Sequence, residues 1–254
     1  MYIYDKNLNC ILFSCSVNDS CSEFEFIQGI VEEISNSKLN CMPLFVARYP
    51  VGINYRVKTI LSDIESNDGH IIGIYGPGGI GKTTIAKAIF NRICDHFYGF
   101  GYLEDFREKS GTNDGVIELQ ETLLFEILRD KNLKVSNKSR VINMIKEKFI
   151  LKRILLVLDD VDKWVQIENL LGGCDWFASG SKIIITTRDK HLVAAFGKCF
   201  STYEVKDLDR DEALELFSMH AFQSKKPKKG YLELANQVIQ YTKGLPFSSS
   251  NNGC

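Results

Sequence analysis

The sequence has little net charge, no long apolar run and no motif of paired metal ligands. Its 254 residues include 31 Lys and Arg against 32 Asp and Glu, for a formal net charge of −1. Such a chain lacks the basic field that binds nucleic acid or anionic membrane nonspecifically. No stretch approaches the roughly 18 apolar residues of a transmembrane helix, and residues 11–13 are too short an apolar core for a secretory signal. We expect no direct nucleic-acid or membrane partner, and a location in the cytoplasm or the nucleus.

The eight cysteines form no recognisable framework. No two of them stand in a CxxC pair, and a chain of this length buries enough apolar surface to fold without cross-links. Cys10, Cys15 and Cys21 leave a zinc site open as a minor alternative. The spacing favours reduced thiols in an intracellular protein.

Short apolar runs alternate with amphipathic segments through the middle of the chain. Buried strands are predicted at residues 70–75, 99–103, 153–160, 182–187 and 202–205. Helices are predicted at residues 83–97, 117–129, 139–149, 163–171 and 191–196. This alternation predicts an α/β fold, a parallel sheet with helices on both faces.

Helices are also expected on either side of this region. Ser22 and Glu25 form an S-x-x-E capping box, which predicts a helix at residues 22–34. A short helix is expected at residues 55–64. After residue 207 the period changes, and Asp209 and Glu212 are placed to cap a helix that runs to residue 222. A last helix is expected at residues 231–242, so a small all-helical addition follows the sheet.

A glycine-rich string joins the first strand to the first helix of the alternation. Residues 76–83 read Gly-Pro-Gly-Gly-Ile-Gly-Lys-Thr and satisfy the P-loop pattern G-x-x-x-x-G-K-[ST]. Glycines let the backbone wrap around phosphates, so that N–H groups and the helix N-terminus face the negative charge. Lys82 is predicted to reach the β- and γ-phosphates, and the Thr83 hydroxyl to bind Mg²⁺. The alternative is a glycine turn with an incidental lysine.

Two aspartates follow a run of aliphatic residues further along the chain. Residues 155–160 read Leu-Leu-Val-Leu-Asp-Asp, the pattern of a Walker B strand that presents carboxylates at the carboxyl edge of a sheet. Asp159 is predicted to hold Mg²⁺, and Asp160 to orient or deprotonate the attacking water. A polar turn after a core strand is the alternative, and it has more weight for Asp160.

Three further features have less specific patterns. Arg188 follows the aliphatic run 183–185 and is placed to approach a terminal phosphate as a fork of donors; a surface arginine fits the spacing equally well. The lysines of residues 225–229 resemble a localisation or nucleic-acid patch, but their position between two helices favours a solvated loop. His220 is interpreted as a packed or solvated histidine on a helical face.

Five motifs occur in the order found in one family. Residues 72–84, 155–162 and 180–193, followed by YEVKDLDRDEALELFSMHAF (203–222) and GLP (244–246), resemble the NB-ARC domain of plant disease-resistance proteins. The NB-ARC domain belongs to the STAND P-loop NTPases. Asp162 and the string FREKS (106–110) resemble the subclass of these proteins that has TIR, NB-ARC and leucine-rich-repeat parts. The resemblance extends over roughly residues 22–247.

The resemblance implies an ADP/ATP switch with Mg²⁺ as cofactor, in which ADP holds the resting state and ATP hydrolysis is at most slow. The nucleotide contacts that it implies are Val51, Gly52, Gly76, Gly78, Gly79, Ile80, Gly81, Lys82, Thr83, Thr84, Arg188 and Pro246. The implied catalytic residues are Lys82, Asp159, Asp160 and Arg188, with Thr83 and Asp159 holding the metal. Defence signalling, self-association and pairing with full-length immune receptors are further implications.

We expect five segments in the chain. They are an unassigned N-terminal segment at 1–21, a helical linker at 22–50, a P-loop nucleotide-binding domain at 51–207, a partial ARC-like helical subdomain at 208–247 and a disordered tail at 248–254. We find no TIR domain, winged-helix subdomain or leucine-rich repeat in this sequence. The chain is therefore expected to be truncated at both ends relative to the family and to lack the NAD-cleaving activity of a TIR domain.

Two other functions stay open. A turning-over ATPase of the AAA+ type uses an arginine in its helical lid, and residues 209–242 contain only Arg210, at a helix start. A truncated, non-catalytic interaction or decoy protein that pairs with full receptors is compatible with every motif above.

Overall fold

A five-stranded parallel sheet forms the centre of residues 42–254 in the computed structural model. The structure describes residues 3–5, 8–11, 41–66, 70–128, 138–150, 152–172, 177–194, 200–242 and 245–246. Contacts divide the chain into two units, residues 1–41 and residues 42–254. The helix predicted at residues 22–34 and the predicted tail at 248–254 lie outside the described residues.

The described residues of the N-terminal unit form an antiparallel strand pair, which the sequence did not predict. Strand β1 (Ile3–Asp5) pairs with β2 (Leu8–Ile11).

The sheet of the second unit confirms the predicted fold class. Its strands are β3 (Ile71–Tyr75), β4 (Gly99–Leu103), β5 (Ile154–Val161), β6 (Lys182–Thr187) and β7 (Phe200–Glu204). Their order is β4-β5-β6-β3-β7, and every neighbouring pair is parallel. All five carboxyl ends therefore meet at one edge. Strand β6 separates β3, which leads into the glycine-rich loop, from β5, which carries the aspartates.

Helices connect the strands and continue after the sheet. They are α1 (Ile53–Ser66), α2 (Lys82–Ile93), α3 (Phe106–Lys109), α4 (Asn113–Leu128), α5 (Lys138–Phe149), α6 (Trp164–Leu171), α7 (Lys190–Ala194), α8 (Arg210–Phe222) and α9 (Leu232–Thr242). Helix α2 ends before the predicted boundary because Cys94–His96 form a 3₁₀ turn. The four-residue helix α3 was not predicted, since one turn is too short for a periodic pattern.

Strand β5 lies at the centre of the core. The side chains of Ile154, Leu156 and Leu158 are fully buried and pack in one cluster with Leu123 of α4 and Ile145 of α5. Burying an aliphatic side chain of this size contributes about 1.5–3 kcal/mol. Leu155 and Val157, which point to the opposite face, are fully buried as well, so both faces of β5 are covered, which explains why its sequence is continuously apolar.

The cysteine prediction is wrong at two positions. Cys41 and Cys94 each belong to a disulfide in the structure, whereas the sequence favoured reduced thiols. Spacing along a chain does not reveal which sulfur atoms folding brings within bonding distance.

No helix in the described part of the chain is long and apolar enough to span a bilayer.

An ion pair joins α1 to α8. Arg56 donates to both carboxylate oxygens of Glu212 at 2.8 Å, and it also donates to the carbonyl oxygens of Gly52 and Asp207. Its side chain is 9% exposed and that of Glu212 22%. The hydrogen bond to Glu212 raises the pKa of Arg56 despite partial burial. Glu212 also closes the predicted capping box with Asp209, the N-cap of α8, so one carboxylate stabilises both the helix start and its attachment.

Replacing Arg56 with Ala should lower the free energy of unfolding by about 2 kcal/mol, because the carboxylate of Glu212 would remain largely buried without its cation. Urea denaturation measures this change. Arg92→Ala is the matched control, since that exposed arginine makes a 3.5 Å hydrogen bond to Asn54; it should change stability by less than about 0.5 kcal/mol. Equal losses in the two variants would contradict a special role for the ion pair.

Candidate functional site

The loop between β3 and α2 is shaped by glycines with left-handed backbone. Gly79 and Gly81 have φ angles of 79° and 98°, which strain any residue with a Cβ atom. Gly81 is the N-cap of α2, and no side chain accepts a hydrogen bond there. The loop therefore leads directly into a helix N-terminus, where N–H groups and the helix dipole favour an anion.

Lys82 is the first residue of α2 and is almost buried at 7% exposure. Its Nζ donates to the carbonyl oxygens of Gly76 at 3.0 Å and Pro77 at 2.8 Å. Burial lowers the pKa of Lys82 and nearby Arg188 lowers it further, whereas the two aspartates of β5 raise it. Burial deprives the Lys82 ammonium of solvation by water, and an anion beside it would stabilise the charged form in place of that solvation.

Asp159 connects three elements at the carboxyl edge of the sheet. Thr83 Oγ1 donates to Asp159 Oδ1 at 3.0 Å and to Oδ2 at 2.9 Å, and Thr186 Oγ1 of β6 donates to Oδ1 at 2.6 Å. Burial raises the pKa of Asp159, and the hydrogen bonds from the two threonines lower it in part. The Thr83 hydroxyl and the Asp159 carboxylate form an all-oxygen group of the kind that Mg²⁺ prefers, so these residues fit the metal.

A bulge in β5 places both aspartates in the same cavity. The register with β6 shifts between Leu158 and Val161, and Asp160 has a left-handed φ of 62°. Its backbone N–H donates to Thr186 Oγ1 at 2.8 Å, which holds the bulge against β6. Successive side chains of a regular strand point to opposite faces, whereas here Asp159 and Asp160 both line the cavity.

Two arginines pair with Asp160. Arg107 belongs to α3, and its Nη2 lies 2.9 Å from Asp160 Oδ2. Arg188 follows β6, and its Nε lies 3.4 Å from Asp160 Oδ1. The carboxylate predicted as a general base is therefore held by two cations in this structure.

A cavity of about 570 Å³ extends from these charged groups to a wall made by the segment before α1, by α8 and by Pro246. We call this the α1–α8 wall; its residues are Ala47, Arg48, Tyr49, Pro50, Val51, Ile53, Leu208, Leu216, His220 and Pro246. Tyr49 and His220 meet edge to face at 4.9 Å between ring centroids. Burial lowers the pKa of His220, and Arg48 lowers it further, which favours the neutral imidazole at neutral pH. The size is typical of a small-molecule site.

The structure brings nearly all of the predicted site residues together. The cavity is lined by Val51, Gly78, Gly79, Ile80, Gly81, Lys82, Thr83, Thr84, Asp159, Asp160, Arg188 and Pro246. Gly52 and Gly76 are not among the described lining residues. The carbonyl of Gly76 accepts from Lys82, and that of Gly52 accepts from Arg56. The individual nucleotide contacts of all these residues remain predictions.

Sequence reasoning missed most of the α1–α8 wall and four residues whose contacts shape the site. Thr186 and Arg107 lie within the family-like segments 180–193 and 106–110, yet nothing in these segments indicates that both residues contact the aspartates. Tyr49 and His220 are far apart in the chain, and their contact has no local signal. A pairing between distant segments is visible only in the folded chain.

The NB-ARC domain family matches residues 53–227. The chain belongs to this family. Disease resistance protein RPV1 of Vitis rotundifolia is 42% identical over 225 residues, which cover 86% of this chain and 16% of that protein. TMV resistance protein N of Nicotiana glutinosa is 38% identical over 247 residues, 92% of this chain and 20% of that protein. The chain thus spans about a fifth or less of the length of these two NB-ARC relatives.

A solved structure of Drosophila ORC bound to DNA has a TM-score of 0.51 at 14% identity and covers 93% of this chain and 60% of that chain. This similarity shows the fold alone. Together with the family match, the sheet order and the phosphate loop make the chain a P-loop nucleotide-binding NB-ARC domain.

Asp159→Asn should raise the thermal midpoint of the nucleotide-free protein at pH 7 in the presence of EDTA. Because burial raises the pKa of Asp159, the stability contributed by this group is complete below its ordinary pKa and is lost as the pH rises through the raised value. The neutral amide avoids that loss, so the difference from the parent protein should narrow toward acidic pH. Differential scanning calorimetry from pH 4 to pH 7 measures both effects.

Asp95→Asn serves as the control, since the Asp95 side chain is 59% exposed; it should leave the midpoint nearly unchanged. A lower midpoint for Asp159→Asn at pH 7 would show that the hydrogen bonds from Thr83 and Thr186 outweigh the cost of burying the charge.

Proposed function

We propose that this chain is the ADP/ATP-binding switch module of a plant intracellular immune receptor, acting in defence signalling. The observation that carries the proposal is a single cavity lined by the phosphate loop, by Asp159, by Arg188 and by the α1–α8 wall. A phosphate site alone would fit many NTPases. Here the cavity also reaches α8, which follows the sheet, so a bound nucleotide would contact both the sheet domain and the helical segment after it.

The phosphates of ADP or ATP would lie at the N-terminus of α2. Backbone N–H groups of the loop and the ammonium of Lys82 would bind them. Thr83 and Asp159 would hold Mg²⁺, which neutralises phosphate charge when it is bound. Arg188 has a half-exposed guanidinium beside Asp160 and would read the terminal phosphate as a fork of donors.

The α1–α8 wall would receive the adenine ring. Val51 and Leu216 offer apolar surface, and the paired rings of Tyr49 and His220 offer aromatic faces and edges for stacking. The wall includes residues before α1 and residues of α8. A bound base would therefore contact one segment that precedes the sheet along the chain and one that follows it. The nucleotide would thereby stabilise one arrangement of those segments.

Slow hydrolysis is consistent with the state of Asp160. A general base must have an accessible carboxylate near the attacking water, and Asp160 is paired with Arg107 at 2.9 Å, a pair that would remain when Arg188 leaves Asp160 for the terminal phosphate. We therefore propose at most a slow ATPase, suited to a switch that keeps its nucleotide.

The partners and location follow from the relatives and remain proposals. The relatives named above carry disease-resistance names, and this chain would act with full-length receptors of that kind or by self-association, in the cytoplasm or the nucleus. We propose no membrane partner and no direct nucleic-acid partner.

The purified protein should release near-stoichiometric ADP on denaturation, and Lys82→Ala should abolish this. Chromatography of the released nucleotide provides the measurement. Adding ADP to the refolded apo form at about 100 times its Kd should stabilise the protein by roughly 2.7 kcal/mol. Lys58→Ala removes an exposed lysine from α1 and should retain the nucleotide.

The alternatives give different results. Absence of released nucleotide together with no thermal shift by ADP would favour the non-catalytic interaction or decoy protein. Steady turnover above about one per second would favour an AAA+-type ATPase. Retention of ADP by Lys82→Ala would contradict the assignment of the phosphate site.

A further inference from the structure

The carboxylate of Asp160 lies between two arginines that come from different elements. Arg107 belongs to α3, which follows β4, and Arg188 follows β6. Each arginine faces its own carboxylate oxygen, Oδ2 for Arg107 and Oδ1 for Arg188. The side chain of Asp160 is 27% exposed, and those of Arg107 and Arg188 are 42% and 55% exposed. Solvent therefore weakens both pairs without abolishing them.

The two pairs are unequal. Arg107 approaches Asp160 to 2.9 Å, within the range of a charge-assisted hydrogen bond, whereas Arg188 stays at 3.4 Å. Arg188 also lies against the phosphate loop, since a Cβ atom built on Gly78 would be 3.6 Å from its Nη1. Arg188 thus lies between a carboxylate to which it is loosely paired and the loop where phosphates would bind.

Asp160 itself is held firmly. The hydrogen bond from its N–H to Thr186 Oγ1 holds its left-handed backbone at the bulge of β5, and Arg107 at 2.9 Å holds its carboxylate. A carboxylate fixed beside a phosphate site repels the additional negative charge that distinguishes ATP from ADP. A cation that remains on Asp160 would reduce this repulsion.

We propose that Arg107 is a positioning residue for ATP binding: it keeps Asp160 paired, so that Arg188 can leave that carboxylate for the terminal phosphate. This inference rests on the proposed ADP/ATP switch. Without Arg107, Asp160 would compete more strongly for Arg188 and would repel the terminal phosphate more strongly. Both effects weaken ATP binding and leave ADP binding nearly unchanged. Arg107 contributes in this way to the preference between the two nucleotides through Asp160, without touching the nucleotide.

The test compares the affinities of Mg²⁺-ADP and of the Mg²⁺ complex of β,γ-imido-ATP by calorimetric titration. Arg107→Ala should lower the affinity for the ATP analogue by about fivefold relative to ADP, the effect expected of one partly exposed ion pair. Arg107→Lys should recover most of the loss, because a lysine restores the cation. Lys109→Ala removes a positive charge from the same short helix and should leave the ratio of affinities unchanged.

A double-mutant cycle tests whether Arg107 affects ATP binding through Asp160. In an Asp160→Asn background, residue 160 has no charge and no longer competes with the phosphate for Arg188, so adding Arg107→Ala should not change the ratio further. A selective loss that persists in that background would show that Arg107 acts on the phosphate directly and would overturn the proposal.

An unchanged ratio in Arg107→Ala would overturn it as well. Circular dichroism and binding of ADP confirm that each variant is folded. If the parent protein bound neither nucleotide, the proposed function would fail; if it bound both and Arg107→Ala kept the parent ratio, only the role of Arg107 would fail.

Discussion

The hydrogen bonds that Asp159 accepts from Thr83 and Thr186 hold the site together. They connect the helix after β3, the end of β6 and the end of β5. The sheet order makes this arrangement necessary, because β6 lies between the strand of the phosphate loop and the strand of the aspartates. Thr186 therefore bridges the gap, and the same hydroxyl accepts from the backbone of Asp160. One side chain of the intervening strand thus contacts the carboxylate of Asp159 and the backbone of Asp160.

Burial of opposite charges links ligand binding to stability at this edge. Burial lowers the pKa of Lys82 and raises that of Asp159, so the folded chain disfavours the charged form of each group. Phosphate beside the lysine and a cation beside the carboxylate would favour those charged forms again. Binding of phosphate and a cation would therefore raise the stability of the folded protein, because it relieves the cost of burying these two charges. This coupling suits the proposed switch, in which the resting state would contain a nucleotide.

Local patterns predicted the fold and most of the candidate site, and contacts between distant segments account for the rest. The strands, the phosphate loop and the capping box of α8 each depend on residues close in sequence, and all appear in the structure. The bulge at Asp160 depends on the register between β5 and β6, which no single segment encodes. The contacts of Arg107 with Asp160 and of Tyr49 with His220 likewise arise only when remote elements meet.

Two separate contacts attach α8 to the segment around α1, and they affect how much a nucleotide can contribute to that attachment. The pair between Arg56 and Glu212 joins α8 to α1 through protein groups alone. Further along the same helix, His220 meets Tyr49 at the α1–α8 wall of the cavity. The first contact holds α8 against α1 through protein groups, so it would help to pre-assemble the wall that receives the base. Pre-assembly lowers the entropic cost of binding, and nucleotide affinity should therefore depend on an ion pair that does not line the phosphate end of the site.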